Sequence, residues 1–286
     1  MFNKDSFFES IMKIITFITS IVVFLVILFI VKESIPFFKV ISIKEFIFER
    51  NWNPIGENKK FGILAMILGS IYISLASVII ALPLGIGSSI FIVFSLKEKF
   101  RKTLLAFIDI LAGIPSVIFG FLGLSILVKI IEKNFNVSSG ECLLAGSILL
   151  SIMILPFIIS NCTESILKSK EKYENISLNL GVSKYFTIRK LIVPSIINAI
   201  FLSAVLSFSR SIGETMAVMM VIGNSPIIPN IFGKMETIPS LIALEMGSVE
   251  YSSLHYHSLY ASALILLLVI FIFNIIFYLF KSKGER

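Results

Sequence analysis

The chain has 286 residues, of which 56% are hydrophobic and only 15% charged, with a formal net charge of +7 and a mean hydropathy of +0.96. A water-soluble globule of this length has too much surface to cover with so few polar side chains, and disordered chains are poor in hydrophobes. What remains is an integral membrane protein.

Stretches without Asp, Glu, Lys or Arg divide the chain: 14–31, 61–96, 110–128, 142–163, 191–209, 215–233 and 251–280. About 20 mostly apolar residues cross the hydrocarbon core as a helix. The pattern predicts six spans at 12–35, 62–96, 104–131, 142–163, 188–224 and 257–280. The first is longer than the apolar part of a signal peptide and no A-x-A site follows it, so it reads as a retained helix. In the second, Pro83, Gly85 and Gly87 predict a kink. In the third, Pro115 is expected to open the helix, with Ser116 meeting freed carbonyls, while Gly113, Gly120 and Gly123 allow close helix approach. Lys129 is expected to snorkel at one end of that span, and Asp109 at the other to cap the helix or accept hydrogen bonds from neighbouring backbone. No linker, low-complexity tract or internal repeat appears. The chain divides into a first helix with its outer loop, 1–61, and a transmembrane domain, 62–286, carrying a polar loop at 164–190.

Basic residues orient the chain. Lys97, Lys99, Arg101 and Lys102, then Lys168, Lys170, Lys172, Lys184, Arg189 and Lys190, and the tail residues Lys281, Lys283 and Arg286 all fall on the side of the termini. Both termini are therefore expected inside, and the basic net charge reflects topology, with no nucleic-acid partner implied. Cys142 and Cys162 sit near opposite ends of the fourth span, about 30 Å apart at helical rise, too far for a disulfide. Trp52 reads as an interfacial anchor, and His255 and His257 as interfacial residues pointing apart on a helix. No metal-type spacing occurs, so no metal, bound cofactor or catalytic residue is expected.

The loop at 164–190 holds hydrophobes at helical spacing, with Gly181 separating two short helical stretches and Ser183 placed to cap the second. Such a pair suits docking in a groove on a soluble partner, or lying on anionic lipid; the residues leave both open. In the fifth span, Arg210 and Glu214 stand four residues apart, and so on one face of a helix. They form either a buried ion pair that sets register or a cationic station for an anion.

Ser177-Leu178-Asn179-Leu180-Gly181, thirteen residues before Pro194, resembles the cytoplasmic coupling loop of ABC-transporter permeases; the family's Glu-Ala-Ala falls on Asn175-Ile176-Ser177, with Glu174 one residue early. Arg210-Ser211-Ile212-Gly213-Glu214-Thr215-Met216-Ala217-Val218, running on to Ile222-Gly223-Asn224-Ser225-Pro226, resembles the fifth-helix signature of PstC-type permeases of bacterial phosphate ABC importers. Trp52 with Pro54, 81–86, 111–120, 152–156 and His257 agree in order and spacing. The resemblance implies an all-α membrane fold of six helices, the MetI-like ABC permease fold, in the bacterial inner membrane. It implies half of a pathway for inorganic phosphate, with Arg210, Glu214 and Thr215 on the substrate route and Glu174, Asn175, Leu180 and Gly181 in the ATPase-coupling loop. The implied partners are a PstA-like permease subunit, a PstB-like ATPase dimer and a PstS-like binding protein. The chain has no G-x-x-x-x-G-K-[ST] loop, so it is not itself an enzyme and ATP is used by the partner. A permease for another oxyanion, or a secondary transporter or channel acting alone, are the alternatives.

Overall fold

The structure, a computed structural model, describes residues 4–284. The side chains of the basic tail, Lys281 and Lys283, and residue Arg286 lie outside what it describes, as does the side chain of Lys4. The chain is almost wholly helical. Helix α1 (Lys4–Phe38) is followed by a short α2 (Ile43–Phe48) and a two-stranded antiparallel ribbon, β1 (Trp52–Asn53) with β2 (Lys60–Phe61), in which Trp52 pairs with Phe61. Then come α3 (Leu64–Ser95) and α4 (Glu98–Ala112). Helices α5 (Ser116–Leu122) and α6 (Lys129–Phe135) are joined through widened π-type turns at Gly123–Val128. The long α7 (Leu143–Asn179) leads to α8 (Lys184–Phe186), π-type turns at Thr187–Ile192, α9 (Val193–Ser195) and α10 (Ile197–Ile212). Short helices α11 (Met216–Met219) and α12 (Ile238–Glu245) precede α13 (Leu254–Gly284).

Among the described residues four helices, α1, α3, α7 and α13, are long and apolar enough to cross a membrane, and the number rises to six if each of two bent pairs counts as one span. The bent pairs are where the structure departs from the sequence pattern. The third span is not one helix over 104–131: α4 ends at Ala112, Gly113 caps it, and the chain turns by 89° before Ser116–Phe135. The fifth is not one helix over 188–224: it bends by 56° at Ile196 and stops at Ile212. The fourth runs to Asn179 instead of 163, about 55 Å in all, so it projects well beyond a 30 Å hydrocarbon core. Pro83 and Pro156 interrupt neither α3 nor α7.

The centre of the fold is the contact between α3 and α7. Gly85 lies so close to α7 that a Cβ there would sit 2.5 Å from the Ile158 side chain, and Gly146 of α7 receives Ile73 of α3 in the same way. Of the third-span glycines, Gly120 and Gly123 do allow close approach, facing Ala217, Met220 and Val221, whereas Gly113 meets only carbonyls of its own turn. Ser89 donates to the carbonyls of Gly85 and Ile159, tying the two helices with a hydroxyl that needs no water. Asp109 accepts not from neighbouring backbone but from the hydroxyl of Ser160 on α7, at 3.3 Å, and Lys129 is exposed. Cys142 and Cys162 are both buried and free.

A second core closes the end of the molecule opposite the 164–190 loop, joining Phe37, Phe46, Phe61, Ile63, Met66, Leu241 and Leu259. Trp52 belongs to this core and does not anchor at an interface: it is buried, and its indole Nε1 donates to both oxygens of Glu245 at 3.0 and 3.2 Å. His255 holds the same carboxylate at 2.6 Å, and His257 Nδ1 donates to the Glu33 carbonyl at 2.8 Å. The two histidines thus bind α13 to different elements. Glu236, just before α12, is 5% exposed, and burial, reinforced by the nearby Glu245 charge, pushes its carboxyl up to about 7. The folded chain therefore keeps a proton there that the unfolded chain releases near 4.5. This contribution to stability is fully present below pH 4.5 and is lost as pH rises through about 7. In Glu236→Gln the decline in melting temperature between these values should flatten, measured by thermal unfolding in detergent across the pH range.

Candidate functional site

The residues singled out by sequence fall in two places. The first is the end of α10. Arg210 lies in the last turn of α10, where the cation faces the negative end of the helix dipole. Its side chain is exposed and has no hydrogen bond or ion pair among the described residues. The expectation that Arg210 and Glu214 share a helical face does not hold. The helix ends at Ile212, and Gly213, Glu214 and Thr215 form the break before α11, so four-residue helical spacing no longer applies. Glu214 instead turns forward: its Oε1 accepts from the backbone N–H of Ala217 at 3.4 Å, meeting an open donor at the start of α11. Thr215 donates its hydroxyl to the Gly213 carbonyl at 3.3 Å. Protein covers one side of the break: Ser211, Ile212, Ala217 and Val218 are buried and α11 packs on α5, while Gly213 is exposed.

Beside Arg210 the inward face of α10 is polar in an unusual way. The hydroxyls of Ser207 and Ser211 are buried with no hydrogen-bond partner among the described residues, and Ser203, one turn earlier, is buried beside the Cys162 thiol. Sequence reasoning passed over these serines because each alone looks like a small packing residue. Their spacing was the available signal. The arrangement offers an unpaired guanidinium at a helix break, whose planar fork suits a tetrahedral oxyanion.

The second place is the distal end of α7. The helix runs to Asn179 and stops in two wrap-back hydrogen bonds, from Gly181 N to the Leu178 carbonyl and from Val182 N to the Ser177 carbonyl at 2.9 Å. Gly181 has a φ of +67°, the left-handed conformation that such a stop requires and that a side chain resists. Ser183 then caps α8, its hydroxyl accepting from Phe186 N at 3.3 Å. The separation into two stretches is therefore present, although the first stretch is the end of α7. Leu178 and Leu180, beside Gly181, and Tyr185 and Phe186 are exposed, as is Asn175; Glu174 is half-buried and pairs with Lys170 at 3.5 Å.

A contact not read from sequence binds this tip to α3. Lys184 Nζ donates to the Phe94 carbonyl at 2.6 Å, satisfying an acceptor in the last turn of α3. The Lys184 and Lys170 ammonium groups both stand over the Phe94 ring, at 5.6 and 5.4 Å from its centre. Phe94 packs in turn with Val93, Ile166, Ile192 and Ile196. Two lysines and one aromatic ring therefore fasten the turn to the transmembrane bundle. Lys184→Met, which keeps most of the aliphatic stem, should raise the rate of tryptic cleavage at Arg189 and Lys190 severalfold, read by limited proteolysis.

Comparison with known proteins fits this geometry. Residues 81–283 match the family model "Binding-protein-dependent transport system inner membrane component". The "Probable ABC transporter permease protein YqgH" of Bacillus subtilis is 36% identical over 242 residues, which is 84% of this chain and 78% of that protein. The "Probable phosphate transport system permease protein PstC" of Methanocaldococcus jannaschii is 34% identical, covering 76% of this chain and 74% of its own length. Among solved structures, a chain of the inward-facing MetNI methionine ABC transporter superposes with a TM-score of 0.63 over 78% of this chain and 96% of its own, at 13% identity, a likeness of fold alone. The chain belongs to the family of binding-protein-dependent transport system inner membrane components, the membrane-embedded permease subunits of ABC transporters.

Proposed function

We propose that the chain forms half of the transmembrane pathway of an ATP-driven importer for inorganic phosphate. The observation that carries this reading is Arg210, an exposed and unpaired guanidinium held at the break between α10 and α11. An arginine at membrane depth is costly and is retained where it meets an anion, and its two parallel donors match phosphate oxygens. Relatives named as phosphate transport system permease proteins add support. On this reading the remaining parts lie on other chains: a second, PstA-like permease, a pair of PstB-like ATPases, and a PstS-like phosphate-binding protein.

The basic end of the molecule, with Lys97–Lys102 and the 164–190 segment, faces the cytoplasm, and both termini lie there too. The binding protein delivers phosphate at the opposite end, over the core built around Trp52 and Glu245. The exposed apolar side chains around Gly181, namely Leu178, Leu180, Tyr185 and Phe186, seat in a cleft of the ATPase, and Glu174 and Asn175 border that contact. Closure of the ATPases moves this tip; α7 and, through Lys184, α3 move with it. The pathway opens outward, and phosphate passes Arg210, with Glu214 and Thr215 shaping the break beside it.

Uptake of labelled phosphate by vesicles holding the assembled complex should need ATP on the side of the 164–190 segment. Arg210→Gln should reduce uptake by at least tenfold while the complex still co-purifies intact. Undiminished uptake would remove Arg210 from the pathway, and uptake by this chain alone on an ion gradient would replace the pump with a secondary transporter. Competition by excess sulfate as strong as by excess phosphate would shift the substrate to another oxyanion. Cysteines placed at Leu178 and Leu180 should crosslink to the ATPase subunit; failure at both in an intact complex would assign the tip to the lipid surface.

A further inference from the structure

Helix α4 presents a surface that neither the pathway nor the ATPase contact uses. Ser116–Phe135 is 20 residues long, about 30 Å of helix, uncharged up to Val128 and carrying Lys129, Glu132 and Lys133 in its last turns. The 15 residues of α4 stand at 89° to this segment. A helix perpendicular to a membrane-crossing segment and joined to its end runs parallel to the membrane plane, at the level where that segment leaves the hydrocarbon.

The faces of α4 suit that placement. Phe100, Leu104, Phe107 and Leu111 recur at i, i+4, i+7 and i+11, forming one stripe, and they are 68, 38, 61 and 47% exposed. Ile108, to one side of the stripe, is buried against Ile92 and Ile159, which fixes the rotation of the helix about its axis. At 100° per residue, Glu98, Lys102 and Asp109 fall opposite the stripe, and Lys99 and Arg101 flank it on either side. The Lys102 ammonium lies 2.7 Å from Glu98 and holds that carboxyl below its ordinary range, so this acid is already matched. Lys97, Lys99 and Arg101 have no ion-pair partner among the described residues.

We infer that α4 is an interfacial helix that seats its Phe100–Leu111 stripe in the membrane leaflet at the basic end of the molecule, with Lys97, Lys99 and Arg101 bound to anionic phospholipid headgroups. The charge decides the occupant: a surplus of unmatched cations beside an apolar stripe complements a negatively charged leaflet. Long basic side chains flanking the stripe carry their ammonium and guanidinium groups up to the phosphates while their stems cover apolar surface. The seat holds the corner at Gly113-Ile114-Pro115 at constant depth, so α5 has a fixed foot in the bilayer.

The test is depth and solvent accessibility of nitroxide labels, on the full chain assembled with its co-expressed subunits in lipid nanodiscs. Cys142 and Cys162 are fully buried, so single cysteines introduced at 100, 104, 107, 111, 102 and 109 supply the labelling sites. The four stripe positions should share one shallow depth with more oxygen than nickel-chelate contact, and Lys102 and Asp109 should favour the nickel chelate. Depth increasing steadily from 100 to 111 would return α4 to a transmembrane path and overturn the inference. Shielding of the stripe from both reagents would place a protein subunit on it, with the same consequence. In discs containing phosphatidylglycerol, K99Q combined with R101Q should lower the oxygen-to-nickel ratio at 107 severalfold. In discs of phosphatidylcholine alone that double change should have no effect; equal effects in the two lipids would overturn the headgroup contact.

Discussion

The close packing of α3 on α7 is the contact on which the other parts of the molecule depend. Lipid tails are as apolar as leucine, so helices in a bilayer gain little from burying hydrophobes against each other and associate through close fit and hydroxyl bonds. Gly85 and Gly146 remove the side chains that would hold the two helices apart, and Ser89 bonds across the gap. Once these two helices are fixed, α10 packs against both, α11 and the α5–α6 segment fill one side, and α4 leans on α7. The residues flanking the break at Gly213 are then buried, while Gly213 and Arg210 stay exposed.

The two ends of the molecule are built on opposite principles. At the Trp52 end, a dry core of aromatic rings encloses a small set of polar contacts in which Glu245 is held by the Trp52 indole and His255, while Glu33 receives His257. At the Gly181 end, apolar side chains lie outside and the fastening is made by lysines. A closed end suits a fixed frame; an end with uncovered leucine and aromatic side chains suits a contact made and broken with another protein.

Of the six apolar regions read in the sequence, four are single helices long enough to cross a membrane and two are bent pairs among the described residues. The two stops around Gly181 and Ser183 were legible for a local reason, since a left-handed stop and a hydroxyl cap depend on residues within five positions of each other. The corners were not. Pro83 and Pro156 stand in unbroken helices, whereas Gly113-Ile114-Pro115 turns the chain through 89°, and a proline alone does not tell the two cases apart. The relation of Arg210 to Glu214 was misread because four-residue spacing has meaning only while the helix continues, and it ends at Ile212. The role of Trp52 was hidden for another reason: its acceptor, Glu245, is 193 residues away, and no local pattern reports such a pairing.

The unbroken length of α7 has a mechanical consequence. A helix of about 55 Å pivoting as a unit near its middle would move each tip by about 5 Å for a tilt of ten degrees. Its far end is gripped through Gly146, Leu149 and Leu150, and its near end carries the Gly181 turn. Gearing of this kind has a fixed ratio, set by where the bilayer midplane cuts the helix. Inserting three or four residues between Thr163 and Lys170 would lengthen one arm alone, so the stroke at the tip would grow while the motion within the membrane stayed the same.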